Sequence, residues 1–436
     1  MIIQRSNSID KLVAWKTSSM RKPLVLQGAR QVGKTWILKA FGKTHFQSTA
    51  YFNFEEQPEL KQLFQKTKNP KRLIENLSLV VGTAIKPQET LIIFDEIQEC
   101  NEALNALKYF QENAPEYAVA CAGSLLGVAM SRGYSFPVGK VDFQNIYPLN
   151  FSEFLSASAP QLSDYLDQYN FSSPIPDVFF NPLIEQLYRY LISGGMPEAA
   201  TTLIYENDIS KTDNVLQGIL NAYRLDFSKH TESHQIQKIN HIWESLPSQL
   251  ARENKKFVYR AIKPGARARE YEDSIHWLDQ AGLIHRVFRN EKPALPLKAY
   301  DDLSAFKVYL SDVGLLRRLA GLQANVITEG NMLYTEFKGA LIENYVLQSI
   351  IPLFDIVPRY WSSGNKAEVD FLIQAGSKII PIEVKSDENV RSKSLHQYNQ
   401  KYNPELRIRF SLKNFSTDGN LINLPLFLAD RILKVI

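Results

Sequence analysis

An α/β protein is predicted, and three observations carry that prediction. In the first 150 residues short apolar, β-like runs alternate with helical patterns, which argues for a parallel sheet covered by helices. The next stretch is mostly helical. The last hundred residues join a helix to a strongly β-like segment, which predicts a second, smaller α/β unit. With 436 residues, two to four domains are expected at roughly 150 residues each. The boundaries read as 1–155, 156–234, 235–320 and 330–436.

In order along the chain, strands are expected at Leu24–Gln27, Ala50–Phe54, Leu91–Phe94, Tyr117–Ala122 and Val141–Tyr147, with a helix at Lys34–Phe41. From Phe151 to about His234 the pattern is helical, broken by the Ser- and Pro-rich loop Ser172–Pro182. From Gln235 to about Leu316 a compact helical unit carries a β-hairpin. Its last helix has Tyr271, Ile275, Leu278 and Ala281 on one face, with Gly282 as C-cap. Then come a strand Leu283–Phe288, a turn near Asn290–Pro293 and a return strand near Leu295–Tyr300.

Composition excludes several classes. Lys and Arg number 50 against 46 Asp and Glu, a net of +4, so the chain is neither an acidic disordered polymer nor a polycation. No run of about 18 apolar residues suits a membrane span. Residues 1–12 are polar, so no signal peptide is expected. Cys100 and Cys121 have no metal spacing and read as free thiols in a reducing cytoplasm. The seven histidines form no close cluster with zinc spacing. Gly194-Gly195-Met-Pro197 reads as a helix-ending turn in preference to a contact to nucleotide.

Two motifs carry chemistry. Gly28-Ala-Arg30-Gln31-Val32-Gly33-Lys34-Thr35 follows a strand and opens a helix. Its glycines let backbone amides and a helix N-terminus face phosphate. Lys34 would reach the β- and γ-phosphates, and Thr35 would bind Mg²⁺. ATP is the expected ligand. The second half of the site is Leu91-Ile-Ile-Phe-Asp95-Glu96, where two carboxylates end an apolar strand. Asp95 would hold the Mg²⁺ shell, and Glu96 would orient or deprotonate water. Ser124, at the end of a third strand, reads equally as a γ-phosphate sensor or an ordinary turn residue.

These residues, with Phe94–Gln98 and Gly123–Ser124, resemble the prokaryotic AAA-type P-loop ATPases that carry a C-terminal domain of unknown function. Pro148–Phe154, Gly194–Glu198 and Lys307–Leu315 extend the resemblance over nearly the whole chain. It implies ATP binding and hydrolysis, a helical lid, a winged helix, and relatives that often form rings, so a homo-oligomer is compatible with it. One departure stands out. The family tends to have Gly-Arg before the Pro148 segment, and this chain has Gly139-Lys140. A lysine lacks the planar two-pronged contact of an arginine finger.

The middle unit concentrates positive charge. Residues 237–298 hold twelve Lys and Arg against seven Asp and Glu, a net of +5. The outline of helix, helix and hairpin is that of a winged helix. DNA is the expected partner: the helix after Arg269 would lie in a groove while Arg267, Arg269 and Arg286 touch phosphates. The competing reading is a solvated basic face or a protein-docking module.

In the C-terminal unit a two-residue turn at Gly376-Ser377 pairs residues whose numbers sum to 753. Asp370 then lies across from Glu383, with Lys385 on the same face. Like charges directly opposed are destabilising, and a divalent cation would relieve them. Glu343 would add a third carboxylate. The set Glu343, Asp370, Glu383 and Lys385 resembles the PD-(D/E)xK nuclease site, in which Asp370 and Glu383 would hold metal and Lys385 would stabilise developing charge. A nuclease-like fold kept only for binding, or a plain amphipathic hairpin, explains the same residues. The fold expected overall is a P-loop core with a parallel sheet, a helical lid, a winged helix and a restriction-endonuclease-like α/β domain. The function expected is an ATPase coupled to that last domain, or alternatively an ATP-dependent switch with a silent nuclease fold. A P-loop kinase acting on a small molecule is a weaker alternative.

Overall fold

The computed structural model describes residues 3–123, 139–231, 233–252, 255–329, 335–364, 367–386 and 393–436. It divides into two compact units, one mainly Arg5–Tyr147 and the other mainly Pro148–Asp279 with Ile284–Ile436.

The first unit is a five-stranded sheet. Its strands are β1 (Leu24–Gln27), β2 (Ser48–Asn53), β3 (Thr90–Asp95), β4 (Ala118–Ala122) and β5 (Asp142–Asn145), in the order β2-β3-β4-β1-β5. Every ladder is parallel. All five strands fall where the apolar runs predict them, with ends shifted by no more than two residues. β3 and β4 are buried along their whole length, as strands of a helix-covered parallel sheet are. Phe52, Phe54, Phe64, Phe94 and Phe110 gather in the core beside them. Phe64 meets Phe54 and Phe94 edge-on at 5.5 Å each, the arrangement that aromatic quadrupoles favour.

The second unit contains a mixed eight-stranded sheet, ordered β12-β13-β11-β10-β9-β8-β6-β7. The strands are β6 (Ile284–Asn290), β7 (Asp301–Leu310), β8 (Arg359–Ser362), β9 (Glu368–Ala375), β10 (Lys378–Val384), β11 (Arg407–Ser411), β12 (Ser416–Asp418) and β13 (Leu421–Pro425). The expected return strand near Leu295–Tyr300 is not a strand. Pro293 and Pro296 cannot donate to a ladder, and Leu297–Tyr300 forms a short 3-10 turn. The true partner of β6 is β7, which follows it. This hairpin joins the C-terminal sheet through Arg289 of β6 and Tyr360 of β8. The β9–β10 hairpin has the expected register, with Ile373 opposite Ile380 and Phe371 opposite Ile382. Gly376 takes φ 58° at its turn.

A buried node organises the helices of this unit. Gly194 ends the helix Asp177–Ser193 with φ 65°. A Cβ on the next residue, Gly195, would stand 2.0 Å from the Leu149 carbonyl oxygen, so no larger side chain fits there. The Leu149 N–H donates to the Gly195 carbonyl at 2.7 Å. The Gly195 N–H donates to Asp312 Oδ2 at 2.6 Å. Asp312, fully buried, also caps the helix Val313–Leu319 by accepting from the Leu315 N–H. It accepts a third bond from the Gln348 side chain at 3.1 Å. Three separated sequence stretches therefore meet at one carboxylate.

Burial pushes the Asp312 carboxyl up from 3.8 to about 6, against the pull of its N–H donors. The folded state thus binds this proton more tightly than the unfolded chain, so acidification from pH 6 toward 4 stabilises the fold through this group. Thermal melts of wild type and Asp312→Asn across that window should diverge, wild type gaining relative stability as pH falls. Parallel curves would show that Asp312 does not titrate there. Asp312→Ala orphans the buried Gly195 N–H and should cost about 2–4 kcal/mol in chemical denaturation.

Candidate functional site

β1 is buried up to Leu26 and delivers the chain to Gly28. Gly28 has φ 138°, and a Cβ there would lie 2.1 Å from the Ile146 carbonyl oxygen. Gln31 (φ 66°) and Gly33 (φ 89°) are left-handed, so the loop turns back on itself before the helix Lys34–His45 begins. Val32 is buried. Arg30 is partly buried. This is a wrapped backbone opening into a helix N-terminus, the arrangement that receives phosphate.

Lys34 is 7% exposed. Its Nζ donates to the carbonyls of Gly28 (2.9 Å) and Ala29 (2.7 Å) in its own loop. Burial lowers its pKa to about 8, although Glu96 and Asp95 pull the other way. An arriving phosphate would offer this ammonium a charged acceptor in place of two neutral ones.

Asp95, at the end of β3, is 4% exposed. Thr35 Oγ1 donates to its Oδ1 at 3.0 Å, and Tyr51 Oη donates to its Oδ2 at 2.8 Å. The Glu96 N–H also reaches Oδ1 at 3.2 Å. Burial raises the Asp95 pKa while the Tyr51 and Thr35 bonds oppose the rise. Glu96 has φ 47°, a conformation that costs a non-glycine residue free energy and often marks a functional site. The Gln98 side-chain amide donates to Glu96 Oε2 at 2.5 Å. The residues expected to hold phosphate, metal and water thus converge on one sheet end. Ser124 lies outside the described residues.

Two contributors escaped the sequence reading. Tyr51 comes from β2, whose ladder to β3 sets Tyr51 opposite Ile93. The Lys39 ammonium lies 3.5 Å from its ring centroid. Arg5 donates to the Val32 carbonyl at 2.9 Å and to the Tyr147 carbonyl at 2.6 Å, which braces the loop from behind. Neither has a short motif around it. Lys140, at the family's arginine position, is paired with Glu112 at 2.9 Å.

Residues 20–155 match the model of an AAA domain. The N-terminal unit is thus similar to AAA-type P-loop domains. Residues 184–326 and 338–427 match two domains of unknown function, DUF8612 and DUF4143. Among curated proteins none matches the sequence. Solved structures similar to the chain include a Walker-type ATPase of Pyrococcus abyssi. It is 15% identical over 73% of this chain and 96% of that one, with a TM-score of 0.45. The Aeropyrum pernix Orc1 protein in complex with DNA is 13% identical over 74% and 93%, with a TM-score of 0.29. DnaA from Aquifex aeolicus bound to AMPPCP is 13% identical over 64% and 90%, with a TM-score of 0.28. No helix among the described residues is long and apolar enough to cross a membrane.

The other expected sites take forms that the sequence did not announce. Arg267 and Arg269 are exposed. Arg286 is engaged, its Nε on Asp279 Oδ2 at 2.9 Å and its Nη2 3.2 Å from His276 Nδ1. The helix Ala268–Gln280 buries Tyr271, Ile275 and Leu278 as expected. Its exposed face carries Glu270, Glu272 and Asp273 beside Arg269 and His276. That face is net acidic, which opposes its entry into a DNA groove.

In the C-terminal unit Glu343 and Glu383 are buried, and Asp370 is partly buried. They meet cations of the chain itself. Lys255 pairs with Glu343 Oε1, while Tyr309 Oη donates to Glu343 Oε2 at 3.1 Å. Asp370 Oδ2 accepts from the Val384 N–H at 2.8 Å. Lys385 pairs with Glu383 at 3.0 Å. Burial would raise Glu343, but Lys255 and Lys307 outweigh it and hold Glu343 below its ordinary value. Asp370 is pushed up, by burial first and then by Glu343. Among the described residues, no three His, Cys, Asp or Glu side chains form a group able to hold a metal ion. As folded, this set does not fit a divalent cation.

Tyr51→Phe keeps the ring over Lys39 and removes one donor to Asp95. Mg²⁺-ATP affinity should fall several-fold, while ATP affinity measured in EDTA stays at the wild-type value. An equal loss in both conditions would mean that the phenol supports the fold rather than Asp95.

Proposed function

We propose that this chain binds ATP with Mg²⁺, hydrolyses it, and works as an ATP-driven switch. The observation that carries the proposal is the Thr35–Asp95 hydrogen bond below a phosphate-wrapping loop, with Glu96 beside it in a left-handed conformation. Thr35 and Asp95 would hold Mg²⁺, which would neutralise the phosphate charge. The loop amides of Gly28–Gly33 and Lys34 would bind the phosphates. Glu96 would take a proton from water, and Gln98 would orient it. By this reading residues 1–155 are the ATP core, 156–234 a helical lid, 235–320 a winged-helix-like module and 330–436 a nuclease-like domain that is silent as folded.

Steady-state phosphate release tests the first part. Glu96→Gln should lose about 100-fold or more in turnover, the range for removing a general base, with ATP binding kept. Lys34→Ala should weaken ATP binding about ten- to a hundred-fold, the worth of a lost charge-assisted contact. Full turnover by Glu96→Gln would remove the proposed base.

A second reading, a metal-dependent nuclease, has one observation in its favour: Glu383 Oε2 is buried and has no hydrogen-bond partner. Supercoiled and linear DNA incubated with Mg²⁺ or Mn²⁺, with and without ATP, separates the two. Cleavage by wild type and none by Asp370→Ala would replace the silent domain with an active one. DNA binding would use Lys263, Arg267 and Arg269, which flank the start of the helix Ala268–Gln280. Affinity should then fall steeply with salt and flatten in an Arg267→Ala/Arg269→Ala variant.

A further inference from the structure

The turn Gln280–Leu283 belongs to the N-terminal unit, although most of the helix Ala268–Gln280 before it, and β6 after it, belong to the other. Ala281 and Leu283 are buried, so the turn is fixed at two points. Gly282 between them is left-handed, with φ 71°, and it faces the phosphate loop. A Cβ there would stand 3.1 Å from the Ala29 nitrogen and 3.5 Å from the Gly28 carbonyl carbon.

The segment under Gly282 is the one that holds the Lys34 ammonium. The carbonyls of Gly28 and Ala29 accept from Lys34 Nζ at 2.9 and 2.7 Å. Gly28 also approaches Ile146 so closely that a Cβ would lie 2.1 Å from its carbonyl oxygen. Two backbone neighbours, Ile146 and Gly282, therefore bound the Gly28–Ala29 peptide. When Lys34 leaves these carbonyls for a phosphate, the peptide loses its internal cation, and its position rests on those neighbours. Small displacements of groups that position a substrate cost large factors in binding and rate.

We propose that Gly282 is a positioning residue of the phosphate site: the turn Gln280–Leu283 holds Gly28–Ala29 in the curve that receives phosphate, and so ties nucleotide binding to the helix Ala268–Gln280 and β6, which the turn connects. The inference rests on the reading of residues 28–35 as an ATP loop. By linkage the tie runs both ways, so a partner that shifts the end of this helix changes ATP affinity by the factor with which ATP changes the partner's. A side chain at Gly282 has two separable effects. It pays for the left-handed backbone, and it presses on Ala29. Gly321 has φ 70° with nothing within 4 Å of where its Cβ would stand, so Gly321→Ala carries the first effect alone. Asn tolerates the left-handed region, so Gly282→Asn carries mainly the second.

The test uses the full chain and Mg²⁺-ATP, with affinity read by titration calorimetry. Gly282→Ala and Gly282→Asn should both bind about tenfold more weakly than wild type, a factor within the usual range of coupling between sites. Gly321→Ala should bind as wild type. Wild-type affinity in either Gly282 variant overturns the proposal. So does an equal loss in Gly282→Ala and Gly321→Ala, which would assign the effect to backbone strain. Hydrogen exchange of wild type, read by peptide mass spectrometry, supplies the second arm and decides alone should the Gly282 variants fail to fold. Mg²⁺-ATP should slow exchange several-fold in residues 28–35 and also in peptides spanning 280–290. Slowing in 28–35 with 280–290 unchanged overturns this inference and leaves the ATP reading standing. No slowing in 28–35 overturns both, so the two failures are distinguishable.

Discussion

A carboxylate taken out of water must be met by donors or cations, and both units are arranged around that constraint. An unpaired buried charge costs several kcal/mol, a large share of the roughly 5–15 kcal/mol that holds a domain together. Three of the acids that the chain buries are met in three different ways. Asp95 is met by hydroxyls, from Thr35 and Tyr51. Asp312 is met by N–H groups of Gly195, Leu315 and Gln348. Glu343 is met by an ammonium, Lys255. The chemistry open to each follows from the partner. Hydroxyl oxygens can themselves ligate a metal, so in the proposed reading Asp95 and Thr35 would turn together toward Mg²⁺. Amide hydrogens cannot, so Asp312 is confined to holding helices. An ammonium competes with a metal outright.

The glycines at Gly28 and Gly195 belong to the same argument. Each brings a backbone within about 2 Å of where a Cβ would stand, and each does so beside a buried polar group. At Gly28 the close approach opens a loop to an external anion. At Gly195 it presents an N–H to an internal one. A loop that binds ligand and a turn that holds a fold use the same device, and they differ in whether the anion belongs to the protein.

What could be read from the sequence was local. The apolar runs gave the parallel strands, because a strand buried on both faces carries no polar positions. The β9–β10 register followed from the turn at Gly376 and the alternation on its flanks, since a one-residue slip would exchange the two faces. The phosphate loop was legible because its residues are contiguous. What could not be read was partnership at a distance. Tyr51 reaches Asp95 across 44 positions, Asp312 reaches Gly195 across 117, and Lys255 reaches Glu343 across 88. Periodicity holds no information about which distant lysine faces which glutamate. The same limit explains the acidic face of Ala268–Gln280. The charge count over 237–298 is positive, but the helix turns its acids outward while Arg286, on β6, spends its charge on Asp279. The return strand was misplaced for a local reason: Leu295–Tyr300 is apolar enough for a strand but carries a proline, and its ladder position passed to the alternating run that follows.

Opposed carboxylates in a hairpin do not by themselves specify a metal site, and this fold shows why. Bringing Asp370 near Glu383 creates repulsion that any nearby cation can relieve, whether it arrives from solvent or on the chain. The chain supplies Lys255, Lys307 and Lys385 near Glu343, Glu368, Asp370 and Glu383. Three ammoniums facing four carboxylates leave an excess negative charge, which a proton on Asp370 would balance. A well-packed apolar cluster would often be as stable as such a network, so its polarity calls for a reason other than stability. Ion pairs can be exchanged for other ions without repacking a core. The lysine that covers Glu343 is reached through a connecting stretch, not through the hairpin or the helix that carries the acids.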